Sequence, residues 1–112
     1  MVEYQQQQLD AVFTALGDPT RRAILSRLRR SPATVGEVAA PFDVSLNAVS
    51  KHVKVLERAG LVRRERVGRE HHLALNAAPL GRASKWLVDY QQFWEENLDR
   101  MERLLAQRRT PR

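Results

Sequence analysis

Hydrophobic residues recur at two different spacings along this chain. From residue 3 to residue 59 they fall mostly at i, i+3 and i+4, as on one face of a helix. From 61 to 75 they alternate with polar residues, as in two strands joined at Gly68-Arg69. Helical spacing then returns. The predicted helices span 3–16, 19–30, 34–40, 45–59 and 79–106. The pattern predicts one domain over residues 1–112, mainly α-helical with a small two-stranded β-hairpin.

Three of the predicted helices begin with a capping signal. Asp18 is a preferred N-cap, and Pro19 follows it at the first helical position. Thr34 and Glu37 have the spacing of a capping box. Ser45 is the predicted N-cap of the next helix. These signals place the helix starts more firmly than hydrophobic spacing alone.

The short helix at 34–40, a turn of about four residues and the longer helix at 45–59 have the layout of a helix-turn-helix. Gly60 ends the longer helix. The side chains expected to pack inward are Leu46, Val49, Val53 and Leu56. The outer face has amide, hydroxyl and cationic groups without an acid, from Asn47, Ser50, Lys51, Lys54 and Arg58. Such a face suits the base edges and phosphates of DNA. The alternative is an ordinary solvated helix face.

Basic residues are concentrated in the hairpin that follows. Its cations are Arg63, Arg64, Arg66 and Arg69, against two acids, Glu65 and Glu70. Because the hairpin comes directly after the helix-turn-helix, we expect a wing whose tip lies over the adjacent minor groove or the DNA backbone. The alternative is an edge hairpin whose charges discourage strand addition.

The last predicted helix has a wide apolar stripe that contains both tryptophans. A domain this small cannot cover such a helix, and exposed aromatic stripes of this size normally mark an interface. We expect the first and last helices to join two copies of the chain in a symmetric homodimer. The residues predicted at this interface are Leu9, Phe13, Trp86, Tyr90, Trp94, Leu98, Met101 and Leu105.

Composition narrows the class of protein further. A formal net charge of +6 and a pI of about 10.7 favour a polyanionic partner such as double-stranded DNA. The chain has no cysteine, which excludes disulfides, thiolate redox sensing and cysteine metal sites. It has neither an apolar run long enough to span a membrane nor the layout of a signal peptide. We therefore expect a cytoplasmic protein.

The three histidines are weak candidates for a metal site. His71 and His72 are adjacent on a predicted strand and therefore point to opposite faces. His52 lies on the flank of the 45–59 helix, where it could donate to a DNA phosphate or pack against the neighbouring helix. The sequence has no recognisable Gly-rich phosphate loop, carboxylate pair in an apolar setting, or nucleophile with a base. We expect no enzyme activity, no cofactor and no bound metal.

Most of the chain resembles the ArsR family of bacterial winged-helix repressors. The resemblance is carried by FTALGDPTRRAILSRL at 13–28, by TVGEVAAPFDVSLNAVSKHVKVLERAGLVRRERVGR at 34–69 and by the aromatic last helix. It implies a homodimer, joined through the first and last helices, that binds a palindromic operator and blocks transcription. It also implies that 45–59 is the recognition helix and 63–69 the wing.

The sequence departs from the metal-sensing members of that family. Those members have cysteines at the positions corresponding to Thr34, Gly36 and Ala39, and none of these three residues replaces a thiolate ligand. A second type of family site uses histidine and acidic ligands on the last helix, where this chain has acids but no histidine after His72. The resemblance is therefore to a branch that lacks both sites, and the inducing signal stays open.

The predicted DNA-binding residues differ in role. Asn47 is the best candidate for a base contact, because its amide can pair bidentately with adenine. Long cations are assigned mainly to phosphates, with Arg69 at the wing tip best placed for the minor groove. Leu46 is left open, since it packs inward by spacing but could also meet a thymine methyl. The predicted set is Ser45, Asn47, Ser50, Lys51, His52, Lys54, Arg64, Arg66 and Arg69. The alternative function is a winged-helix protein-interaction module with a solvated basic face.

Overall fold

The computed structural model describes the backbone of residues 2–109 and the side chains of residues 3–108. Within that range the helices are α1 (Val2–Leu16), α2 (Pro19–Arg30), α3 (Val35–Ala39), α4 (Leu46–Arg58) and α5 (Ala78–Arg109). The strands are β1 (Ala33–Thr34), β2 (Val62–Val67) and β3 (Glu70–Leu75). The helix-turn-helix, formed by α3 and α4, is followed by the β2–β3 hairpin, as predicted. The winged helix-turn-helix architecture is thereby confirmed.

The capping residues predicted from the sequence form the expected hydrogen bonds. The Asp18 carboxylate accepts a hydrogen bond from the backbone N–H of Arg21 at 3.0 Å and caps α2. At α3, the Thr34 hydroxyl accepts from the N–H of Glu37 and the Glu37 carboxylate accepts from the N–H of Thr34, both at 3.1 Å. The Ser45 hydroxyl accepts from a first-turn N–H of α4, also at 3.1 Å. These local bonds fix where α2, α3 and α4 begin.

The hydrophobic core is formed by the four helices α1, α2, α3 and α4 together with the inner end of the β2–β3 hairpin. Its side chains with no more than 3% exposure include Val12, Ile24, Leu28, Val38, Val49, Val53, Leu56, Leu61 and Leu73. Each such side chain contributes roughly 1.5–3 kcal/mol on burial. The three from α4 lie on one face of that helix, which is thereby fixed to the core while its other face points outward.

The sheet contains one strand that the sequence did not predict. Its order is β1-β3-β2, with all neighbours antiparallel. The two-residue strand β1 pairs Ala33 with Leu73, and both side chains are buried. The hairpin is therefore held to the body of the domain at its inner end. Its outer end, around Gly68, carries exposed residues only.

The helix α5 extends far beyond the rest of the domain. It has 32 residues and spans about 48 Å at 1.5 Å per residue. The radius of gyration is 20.3 Å, whereas a compact chain of this length has about 13 Å. Only the first turns of α5 pack on the core, through Pro79 and Ala83. Across residues 2–109, no helix combines the length and the apolar character that a membrane span needs.

Candidate DNA-binding surface

The outer face of α4 presents the polar side chains predicted for DNA contact. Asn47, Lys51 and Lys54 are exposed, and Ser50 is half-buried between them and the core. The hydroxyl of Ser45 is already used to cap the helix. The first turn of α4 therefore offers an amide to a ligand, the following turns offer cations, and the free backbone N–H groups at the N-terminus add a favourable environment for phosphate.

Leu46 does not belong to the packed face of α4, contrary to the hydrophobic spacing. Its side chain is 57% exposed, whereas Val49, Val53 and Leu56 are fully buried. A side chain in a helix leans toward the N-terminus, so that of Leu46 lies beyond the part of α4 that touches the core. Val44, in the preceding turn, is 52% exposed. Leu46 is thus an exposed apolar side chain directly before Asn47 in the chain, which keeps the thymine-methyl role open for it.

The wing places its cations along an exposed hairpin. Gly68 has φ +64°, a left-handed conformation that glycine adopts without strain, and it turns the chain at the tip. Arg66 is tied to this turn, because its Nε donates to the Gly68 carbonyl at 3.1 Å. Within the described part of the chain, the guanidinium groups of Arg63 and Arg69 have no hydrogen-bond or ion-pair partner and remain available to phosphate.

Arg64, predicted to contact phosphate, is already paired with an acid. Its Nη2 donates to Oε1 of Glu57 at 2.8 Å, and each side chain is 28% exposed. The pair links β2 to the last turn of α4. It also cancels one positive charge on the surface, so Arg64 is less available to DNA than Arg69.

The structure places His52 against the start of α2. Its Nδ1 lies 3.4 Å from Nη1 of Arg21 and 3.8 Å from Oδ2 of Asp18. Of the two roles considered for His52, packing against the neighbouring helix is the one that these contacts match. Both contacts use Nδ1, which leaves Nε2 uninvolved.

Two carboxylates beside this surface have lowered pKa values. The pKa of Asp18 falls below its ordinary value of 3.8, mainly because the N–H of Arg21 donates to the carboxylate, with smaller contributions from His52 and Arg21 charge. The pKa of Glu37 falls below 4.5 because the backbone and hydroxyl of Thr34 both bond to it. Both residues are therefore ionised at neutral pH and act as caps, not as proton donors.

The three positions at which the sequence predicts no metal ligand lie at the start of α3 or within it. Thr34 caps α3, and Gly36 and Ala39 lie within that short helix. Among the residues whose structure is described, no group of three or more His, Asp or Glu side chains is arranged to hold a metal ion.

The predicted interface residues form a continuous aromatic surface. Phe13 of α1 meets Trp86 of α5 edge-on with ring centroids 5.7 Å apart, and Trp86 stacks on Tyr90 at 5.1 Å. Tyr90 then meets Trp94 at 6.0 Å. The three α5 rings are 45–48% exposed, and Leu98 is 51% exposed. No other element of residues 2–109 covers this surface.

Sequence reasoning missed the roles of Arg21 and Arg22. Both follow the N-cap of α2, where a cation is disfavoured by the helix dipole. The structure shows that their guanidinium groups reach back to carbonyls at the C-terminal end of α1. The unfavourable placement was the signal that these side chains act outside their own helix.

Comparison with known proteins agrees with this architecture. A family profile described as a helix-turn-helix domain matches residues 16–65. The chain is 42% identical over 89 residues to the HTH-type transcriptional regulator Rv2034 of Mycobacterium tuberculosis, covering 80% of each protein. It is 32% identical over 82 residues to the transcriptional repressor SdpR of Bacillus subtilis, covering 73% of this chain and 91% of SdpR. It is also similar to the crystal structure of an ArsR family transcriptional regulator, with TM-score 0.76 and 44% identity over 80% of this chain and 93% of that one.

Proposed function

The chain belongs to the ArsR family of winged helix-turn-helix transcriptional regulators, and from this membership we propose that it is a homodimeric repressor of a palindromic operator. Repression is supported by the similarity to SdpR, itself a repressor. The observation that carries the proposal is the acid-free outer face of α4, held rigidly by three buried side chains beside a basic wing.

The proposed contacts follow from the exposure of each side chain. The N-terminal turn of α4 enters the major groove, where Asn47 contacts a base and Leu46 meets a thymine methyl. Ser45, Ser50 and Lys51 lie near the same end of the helix. Lys54, Arg66 and Arg69 bind phosphates, while Arg64 contributes less because of Glu57. His52 is half-buried and acts through its protein contacts.

The proposed dimer uses the aromatic surface of α1 and α5. Two copies related by a two-fold axis would cover Phe13, Trp86, Tyr90 and Trp94 with the same residues of the partner. Leu9, Leu98, Met101 and Leu105 extend this surface along the two helices. A two-fold dimer presents two α4 helices to DNA, and this symmetry is the physical reason to expect a palindromic site.

The proposal needs no cofactor, because side chains and backbone N–H groups supply every contact with DNA. It places the protein in the cytoplasm, where bacterial DNA lies. All residues from 1 to 112 are proposed to act as one DNA-binding and dimerisation unit, although residues 1 and 110–112 lie outside the described part.

A protein-interaction module is the competing function, and DNA binding at several salt concentrations separates the two. Footprinting of the DNA upstream of the protein's own gene would locate an operator. We expect the protected duplex to bind at least about a thousandfold more tightly than a scrambled duplex of equal length. Equal, steeply salt-dependent binding to both duplexes would instead indicate a solvated basic face without sequence recognition.

A further inference from the structure

One arginine joins the proposed dimerisation layer to the recognition helix. Arg21 lies on α2, yet its side chain bonds to α1 and approaches α4. Its Nε donates to the carbonyl of Ala15 at 2.8 Å, and its Nη2 donates to the carbonyl of Thr14 at 2.8 Å. Its Nη1 lies 3.4 Å from Nδ1 of His52. The guanidinium group is half-buried where α1, α2 and α4 meet.

The bonds to α1 go to carbonyls of its last turn, which lack the usual partner four residues on, although the Thr14 carbonyl also accepts from the N–H of Gly17 at 3.2 Å. Arg22 does the same for the neighbouring carbonyl, since its Nη1 donates to Leu16 at 2.8 Å. Both arginines therefore bond to carbonyls at the end of α1, Arg21 with two bonds from a half-buried side chain and Arg22 with one from an exposed side chain. Among the described contacts, only that of Arg21 also reaches α4.

We propose that Arg21, acting on His52, is a positioning residue that sets the orientation of the recognition helix relative to α1 and α5, the two helices of the proposed dimer interface. This inference rests on the proposed function, because orientation matters only if α4 reads DNA from a fixed frame. A guanidinium has a planar array of donors in a rigid fork. Once two of them are fixed on the α1 carbonyls, the direction of the third toward His52 is fixed as well.

The Arg21 contact depends on which His52 ring nitrogen carries the proton. Because arginine can only donate, Nδ1 is the acceptor in the tautomer whose ring proton lies on Nε2. Asp18, whose Oδ2 is 3.8 Å from the same Nδ1, is held in place as the cap of α2. His52, on α4, thus lies against two side chains at the start of α2, those of Arg21 and Asp18. Its Nδ1 therefore couples the orientation of α4 to the position of α1 and α2.

The matched pair Arg21→Lys and Arg22→Lys tests the positioning role. Both variants keep a cation at the end of α1 and lose the fork. For Arg21→Lys we expect operator affinity to fall about tenfold, with unchanged binding to random DNA and unchanged dimer association. Both variants should lower thermal stability, because each loses a bond to the end of α1. Arg22→Lys should nevertheless leave operator affinity within about twofold of the wild type. Equal effects of the two variants on operator affinity would overturn the inference.

Two substitutions of His52 test which ring nitrogen acts. An asparagine carbonyl can take the place of Nδ1 as an acceptor for Arg21, whereas a glutamine amide reaches the place of Nε2. We expect His52→Asn to retain operator affinity and His52→Gln to lose it. The opposite order, or equal losses, would mean that His52 does not act through Arg21.

The wild-type protein separates this inference from the proposed function. If it fails to prefer its operator over random DNA, the proposed function is wrong. If it prefers the operator but the two lysine variants behave alike, only the positioning role of Arg21 is wrong.

Discussion

Asn47 and Arg69 are both exposed, but they lie at different parts of the proposed DNA-binding surface. Asn47 is on the first turn of α4, the end of the helix that is proposed to enter the major groove. Arg69 is at the tip of the wing, with its guanidinium unpaired in the described structure. An amide in the groove can distinguish bases, whereas a guanidinium on a phosphate cannot.

This difference predicts opposite consequences for two alanine variants. Asn47→Ala should relax specificity by about 1–3 kcal/mol at one base pair in each half-site. Arg69→Ala should weaken operator and random DNA alike and lower the salt slope by about 0.9 per protomer. Titrations of both DNAs at several salt concentrations measure these effects. If Asn47→Ala weakened both DNAs equally while Arg69→Ala lost only operator binding, the roles would be reversed.

The lowered pKa of Asp18 predicts a pH dependence of stability. The folded state favours the carboxylate, so its stabilising effect is complete above the unfolded pKa of about 3.8 and is lost as pH falls through the lower folded pKa. Asp18→Asn keeps an acceptor that can cap α2. Stability should change little at pH 7, and the decline at acid pH should become shallower. Denaturant unfolding between pH 2 and pH 7 tests this, and identical acid slopes for both proteins would contradict it.

At the scale of elements, the sequence predicts what local chemistry determines. The helix starts at Asp18, Thr34 and Ser45 follow from hydrogen bonds within a few residues of each cap. Strand β1 could not be predicted in this way. It has two residues, too few for any periodicity, and it exists only because Leu73, far along the chain, lies beside Ala33.

The candidate site likewise has features that the sequence predicts and contacts that it does not. The composition of the outer face of α4 and the wing is visible in the sequence. The pairing of Arg64 with Glu57 and the contact of His52 with Arg21 depend on how elements pack, so neither could be predicted from the order of residues. The place of Leu46 stayed open in the sequence, because helical spacing says which side of a helix a residue is on but not whether the core reaches that far, and the structure shows its side chain exposed.

The link between α4 and β2 predicts that DNA affinity is restrained by Glu57. Glu57→Gln weakens the ion pair and frees Arg64 for a phosphate. DNA affinity should rise, and the salt slope should steepen by about 0.9 per protomer. Glu65→Gln is the matched control, since it removes the same charge from β2 without releasing Arg64. An equal gain from both variants in a salt titration would show that only net charge matters.

At the scale of the molecule, the long α5 is the feature that a monomer leaves unexplained. Its aromatic ladder and the apolar residues beyond it are about half exposed, on a chain that measures 78 Å along its longest axis. Exposed apolar surface of this extent is typical of an interface. The proposed two-fold partner, laid along α1 and α5, would bury it.

The proposed dimer predicts a strong effect of one charge on α5. Leu98→Glu removes an apolar contact from each protomer, and the dimer should weaken by roughly 3 kcal/mol or more while helicity is kept. Gln92→Glu adds the same charge on the side of α5 away from the ladder and should leave the dimer intact. Sedimentation equilibrium and circular dichroism measure both quantities. An unchanged dimer for Leu98→Glu would place the interface elsewhere.

Selection of binding sites from a pool of random DNA duplexes tests most directly whether this protein is a dimeric, sequence-specific DNA-binding protein. It requires no knowledge of the regulated genes. We expect enrichment of an inverted repeat whose half-sites are centred about one helical turn, or a multiple of it, apart. Failure to enrich any sequence, or enrichment of a single half-site without a repeat, would contradict that account.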